Sequence, residues 1–185
     1  MTISFLHYSC IAVRSAGVNV QDDHGDTPLH EACICGKLTI LKQLLENGAD
    51  FSIKNADDET SLHTACKEGS VGIVKEILCR SQSRREELLA ACDKELNTPL
   101  HLAVEGGDLE IVKALLEDHA MPSKSNGVEV VPMHVAAAHG YLDIAKELLK
   151  SDNSCKDLLD NQQQSPLHYA AKANQVEMIK FLLSE

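Results

Sequence analysis

Between residues 26 and 37 the chain reads DTPLHEACICGK, which sets an acid, Asp26, just ahead of His30, Cys33 and Cys35. Two chemistries use such groups: tetrahedral zinc ligation by imidazole and thiolate, and nucleophilic catalysis by a thiolate with a histidine base. Both require the side chains to converge. On a helix, residues i and i+2 point to different faces, so groups three and two positions apart do not close on one ion. A Cys-His pair also lacks a third, orienting group and oxyanion donors. No glycine-rich phosphate loop, HExxH or GxSxG occurs elsewhere. The reading is no enzyme, no metal and no cofactor, with thiol reactivity left open at Cys35, Cys79, Cys92 and Cys155.

The elements that position these groups recur. The tetrapeptide of the opening stretch returns as TPLH at Thr27 to His30, TSLH at Thr60 to His63, TPLH at Thr98 to His101, VPMH at Val131 to His134 and SPLH at Ser165 to His168. The spacings are 33, 38, 33 and 34 residues, a period that marks a repeat architecture. Nine residues into each unit stands Gly36, Gly69, Gly107, Gly140 and then Asn174, residues that tolerate the left-handed conformation closing a helix. Beyond it apolar residues resume at helical spacing, as in Leu38, Ile40, Leu41, Leu44 and Leu45. Five residues before each tetrapeptide stands Asp22, Asn55, Asp93, Asn126 or Asp160, side chains that start tight turns by bonding nearby amides.

Aligned in this way, the chain resembles the ankyrin-repeat family, whose pattern D-x-x-G-x-T-P-L-H-x-A-A-x-x-G-H-x-x-V-x-x-L-L-x-x-G-A-D is followed from Ser15 onward. The resemblance implies an all-α solenoid of stacked helix-turn-helix units joined by β-hairpin fingers. The expected division is a partial N-terminal cap at 1–21, with SFLH at Ser4 to His7 as a degenerate start, and repeats at 22–54, 55–92, 93–125, 126–159 and 160–185. The second repeat carries an insertion and the fifth stops short of a finger, so the chain reads as a fragment of a longer array. The resemblance also makes His30, His63, His101, His134 and His168 hydrogen-bonded ties between hairpin and helix. Cys33 and Cys66 fall in a column of small core residues with Val104, Ala137 and Ala171.

The pattern is broken in places. The turn glycine survives only at Gly25, against Asp58, Leu96, Glu129 and Gln163, so those four fingers are expected to be less regular, since a Cβ resists positive φ. Within CRSQSRREELLAACDKELN, Leu88 and Leu89 are expected to pack back and the charges to stay in water; Leu158 and Leu159 are expected to serve likewise in SDNSCKDLLDNQQQ. Both links read as longer loops rather than dedicated binding loops.

The bulk numbers agree with an interaction module. Of the residues, 44% are apolar and 24% charged, a folded balance, while aromatics at 3% leave the core to Leu, Ile, Val and Ala. A formal charge of −11, from 17 basic and 28 acidic residues, argues against sequence-independent binding of nucleic acid or anionic lipid. Seven cysteines without a CxxC pair read as reduced thiols of the cytosol. No run of about 18 apolar residues offers a membrane span, and MTISFLHYSCIAVRSAG lacks the basic n-region of a signal peptide.

The columns without packing duty give the candidate partner-binding residues: Asp23, His24, Asp26, Ile34 and Cys35; Ala56, Asp57, Glu59, Lys67 and Glu68; Lys94, Glu95, Asn97, Glu105 and Gly106; Gly127, Val128, Val130, Ala138 and His139; Asn161, Gln162, Gln164, Lys172 and Ala173. They are acidic in the first two fingers, apolar in the fourth and amide-rich in the fifth. The expected partner is a protein, with a basic or extended segment suiting the acids; the fragment itself is expected to be monomeric and cytoplasmic. A second reading comes from DHAMPSKSNGVEVVPMHVAA, which is similar to the cytosolic ankyrin arrays of ankyrin-type transient receptor potential channels. It would place the chain at the cytosolic face of a membrane.

Overall fold

In the computed structural model, which describes residues 17–184, each tetrapeptide starts a helix. Thr27 is the N-cap of α1 (Pro28–Ile34), and its hydroxyl and the His30 side chain satisfy each other's backbone amides. A proline at the first helical position loses nothing there, since its missing N–H would have no intrahelical partner. A histidine at the third helical position accepts from the N-cap amide in the same way in α3 (Ser61–Lys67), α6 (Pro99–Glu105), α8 (Pro132–His139) and α10 (Pro166–Lys172), although α3 begins with Ser61 in place of proline and Val131, the N-cap of α8, has no hydroxyl. A residue in the left-handed region stops each of the five: Gly36, Gly69, Gly107, Gly140 and Asn174 have φ of 64°, 67°, 71°, 73° and 57°.

A second helix then runs back along the first: α2 (Leu38–Glu46), α4 (Val71–Ser81), α7 (Leu109–Glu117), α9 (Leu142–Ser151) and α11 (Val176–Ser184). Helices of seven to eleven residues are marginal alone, and here each is held by its neighbours. α1, α3, α6, α8 and α10 stack in one row, and α2, α4, α7, α9 and α11 in a second. The core between the rows is aliphatic, with Leu29, Leu41, Leu62, Ile77, Leu100, Ile111, Leu115, Met133 and Leu148 fully buried. Cys33 and Cys66 lie in the same core, as their column implied.

The fingers hold hydrogen-bonded turns, and no strand is assigned among the described residues. In the first, the Asp22 amide donates to Asp26 O at 3.0 Å and the Gly25 amide to Asp22 O at 2.9 Å. Asp22 Oδ1 accepts from the amides of His24 and Asp26, both at 2.9 Å. Asn55, Asn126 and Asp160 accept from the same two positions in their own fingers. The expected irregularity is therefore corrected. Asp58, Leu96, Glu129 and Gln163 take φ of 59°, 63°, 62° and 59°, close to the 76° of Gly25. The bonds around the turn impose the left-handed tip on whichever side chain stands there.

The insertion adds a 3₁₀ turn at Gln82–Arg84 and a short helix, α5 (Arg85–Ala90), between α4 and α6. Leu88 and Leu89 are buried, as expected. The insertion's arginines do not simply stay in water. The Arg84 guanidinium donates to Asp50 at 3.2 Å and to Ser52 Oγ at 2.7 Å, and lies 5.8 Å from the Phe51 ring centre. Arg85 pairs with Asp118 of the third unit and donates to Leu78 O. Two acids, Asp50 and Asp118, and the Ser52 hydroxyl explain this, because they lie in reach from the neighbouring units. In the smaller link, Leu158 packs on the core but Leu159 is 45% exposed. Cys155, in the 3₁₀ turn Asn153–Lys156, is buried in that link. The cap expected at Ser4 to His7, and Cys10, lie outside the described residues.

Candidate functional site

The five histidines come first, because they looked most like chemistry. Each Nδ1 faces the backbone N–H of the residue that starts its tetrapeptide, as in Thr27 to His30 at 3.1 Å and Thr98 to His101 at 3.1 Å. An Nδ1 that accepts this bond has no proton, which places the proton on Nε2. Nε2 reaches forward to the next finger: His30 to Glu59 O at 3.1 Å, His63 to Asn97 O at 3.2 Å, His101 to Val130 O at 3.1 Å and His134 to Gln164 O at 3.0 Å. The imidazoles thus tie each unit to the one after it as well as hairpin to helix. Burial pushes all four below the ordinary histidine value, His101 to about 4. His168 makes the local bond to Ser165 but is exposed.

The thiols divide in the same way. Burial pushes Cys33 and Cys155 up to about 12 and raises Cys66 as well. That closes Cys155 as a reactive thiol, while Cys35 and Cys79 are exposed and Cys92 is half-buried. Carboxylate oxygens of Asp22, Asp26 and Glu31 lie within 4.8 Å of one another. Their atoms already have work, since Asp22 Oδ1 holds the turn and Asp26 Oδ1 accepts from Asn55 Nδ2 at 2.9 Å.

The expected partner face is a row of finger ends beside a row of first-helix ends. Successive fingers are joined by one backbone bond each: Ala56 N–H to His24 O, Lys94 to Asp57, Gly127 to Glu95 and Asn161 to Val128, at 2.8–3.2 Å. Asp23, His24, Ala56, Asp57, Lys94, Glu95, Gly127, Val128, Asn161 and Gln162 are exposed. So are Ile34, Cys35, Lys67, Glu68, Glu105, Gly106, His139, Lys172 and Ala173, with Ala138 half-buried. His139 stacks on Tyr141 with ring centres 5.2 Å apart and planes 11° from parallel.

One column departs from expectation. The repeat pattern leaves the residues before each tetrapeptide free of packing duty, whereas the structure holds them against the stack. Glu59 is buried and paired with Lys67 Nζ at 2.9 Å. Asp26, Asn97, Val130 and Gln164 are half-buried. Asn97 Oδ1 accepts from Asn126 Nδ2 at 2.8 Å, so Asp26 and Asn97 are rungs joining one finger to the next. The physical reason is that each of these residues closes its turn by accepting from the Asx amide, which holds it against the stack.

The tips Asp58, Leu96, Glu129 and Gln163, beside these residues, are all exposed. The turn pattern speaks only to the backbone conformation of their column, so it does not single them out. The signal available was chemical: four different polar or apolar side chains stood where the turn asks for glycine.

Paired helices in two stacked rows, joined by projecting turns and tied by a histidine column, define a repeat solenoid. The family model described as "Ankyrin repeats (3 copies)" matches in overlapping registers at residues 4–87, 40–126, 62–154 and 100–185, and the chain belongs to this family. It is 32% identical over 105 aligned residues to transient receptor potential cation channel subfamily A member 1 of Drosophila melanogaster, covering 55% of this chain and 9% of the channel. The Homo sapiens channel of the same name is 32% identical over 202 aligned positions, covering 99% of this chain and 18% of the channel. The probable 26S proteasome regulatory subunit p28 of Saccharomyces cerevisiae is 27% identical over 157 residues, covering 84% of this chain and 68% of that protein. The chain thus spans only a small part of the channels it matches. Among the described residues no helix is long and apolar enough to cross a membrane.

Proposed function

We propose that this chain is a non-catalytic, cytoplasmic protein-binding module that holds its partner on the face formed by the finger ends and the first-helix ends. One observation carries this reading. The polar groups at the base of each finger are consumed by turn, rung and histidine bonds, whereas Asp23, Asp57, Asp58, Glu68, Glu95 and Glu129 point outward, and among the described residues only Asp57 of these has an ion-pair partner. Such a row of acids steers a basic, extended segment. The test is replacement of Asp23, Asp57, Asp58 and Glu68 by Lys, with binding to basic and acidic peptides measured beside the melting curve. Loss of affinity for basic peptides at unchanged melting supports the reading; unchanged affinity removes it.

A second reading is favoured by the likeness to the channel subfamily, which extends over 99% of this chain for the Homo sapiens relative. In it the module is one stretch of the cytosolic array of a cation channel. Transmembrane segments in the same reading frame would support it, and a complete reading frame without them would remove it.

A further inference from the structure

We infer that Leu96 and Val128 form an apolar anchor point between the third and fourth fingers, for a partner segment presenting one aliphatic or aromatic side chain beside lysine or arginine. This rests on the protein-binding reading above and gives that face its chemistry. Leu96 occupies a turn tip at φ 63°, a conformation in which a side chain is a handicap and glycine serves better, as Gly25 does in the first finger. The leucine gains little burial in return, being 52% exposed. The turn holds this apolar side chain out in water, where it is available for contact.

Val128 is 51% exposed on the neighbouring finger. The Gly127 amide donates to Glu95 O at 2.8 Å, and Leu96 Cδ1 lies 3.9 Å from where a Cβ on Gly127 would be. The Leu96 side chain thus reaches over the Gly127 backbone, one residue from Val128, where a Cβ on Gly127 would meet Glu95 O at 2.9 Å. The rim is acidic: Glu95 is adjacent, and Asp58 and Glu129 are the tips on either side. All three are exposed, and none is in an ion pair among the described residues. Lys94, the nearest base in sequence, is turned back to Asp57 at 3.4 Å. An apolar centre with a charged rim of one sign is the usual form of a small contact site, and its complement is an apolar residue flanked by bases.

The test uses the whole chain, immobilised, against a display library of random dodecapeptides, with affinities of the enriched peptides measured for the variants Leu96→Gly and Val128→Ser. Enriched peptides are expected to combine an apolar residue with Lys or Arg, and either variant should weaken them by about tenfold or more. Melting should hold for Val128→Ser and hold or rise for Leu96→Gly, which separates lost contact from lost fold. Affinities within twofold of the parent for both variants overturn the anchor. If in that case Lys at Asp23 and Asp57 abolishes binding, the finger-face reading survives without it. If neither set of changes matters, or no peptide is enriched over the bare support, both fall.

Discussion

His101 and Val130, 29 positions apart in sequence, are joined by a 3.1 Å bond from the imidazole Nε2 to the main-chain carbonyl of the next finger. The imidazolium would keep this bond but lose another, because Nδ1 must stay an acceptor for the Thr98 amide, 3.1 Å away. Burial holds His101 down at about 4, against 6.5 for the unfolded chain. The unfolded state therefore binds more protons, and stability is complete above pH 6.5 and lost as pH falls through the folded value. His30, His63 and His134 are shifted in the same direction. The loss from His101 alone approaches about 3 kcal/mol by pH 4. Thermal melts between pH 7.5 and 5, above the range where most carboxylates titrate, should show a falling midpoint; a flat profile would contradict the assignment.

The fourth unit has half of the local tie. Val131 gives its amide to His134 Nδ1 at 3.1 Å, but it has no hydroxyl to complete the box that Thr27, Thr60 and Thr98 form. Val131→Thr puts that oxygen beside a ring nitrogen already aimed at it, in a buried place of the right shape. Stability should rise by about 0.5–1 kcal/mol, the usual worth of a helix cap. Denaturant midpoints of the two proteins decide it, and a fall would mean that the hydroxyl finds no partner.

The finger tips predict opposite signs at one column. Leu96→Gly and Glu129→Gly should each stabilise by about 0.5–1 kcal/mol, through relief of the left-handed strain less the added freedom of the unfolded chain. Gly25→Ala goes the other way: its φ is 76°, and its Cβ would come within 2.6 Å of the Ala56 amide nitrogen. Gly48→Ala, at φ 83° with nothing within 4 Å, isolates the backbone effect. Gly25→Ala should cost about 1–3 kcal/mol, and more than Gly48→Ala. Equal losses in the two would show that the fingers are not in contact at Gly25.

Leu88 separates a passive loop from a packed insertion. It is 2% exposed and faces the core from α5. Leu88→Ala should cost about 2–4 kcal/mol. A loss below about 0.5 kcal/mol, typical of surface changes, would return the insertion to a loop.

Much of this architecture is legible in the residues. The period, the caps and the helix stops follow from Thr27, Pro28, His30 and Gly36 and their counterparts, because each performs a local task that any chain can reveal. The stacking direction of His30 is not local, so its bond to Glu59 could not be seen from the tetrapeptide. The same holds for Glu59 itself, an acid in an apparently open column that Lys67 and the stack enclose. Leu96 misled for another reason: propensity argued against its backbone conformation, and the bonds of Asp93 to the residues around it prevailed. Arg84 and Arg85 looked like solvated charge because their partners, Asp50 and Asp118, lie more than thirty residues away on either side.

That last arrangement alters how the array comes apart. In a solenoid where each unit touches only its neighbours, fraying proceeds one unit at a time from an end. Arg84 grips the first unit and Arg85, the next residue along, grips the third, so a single short segment reports the state of both. Opening the first unit frees Arg84 and loosens the footing of α5, on which the Asp118 contact depends. The first three units are thereby biased to protect or release their amides together, a link that neither arginine extends to the fourth and fifth.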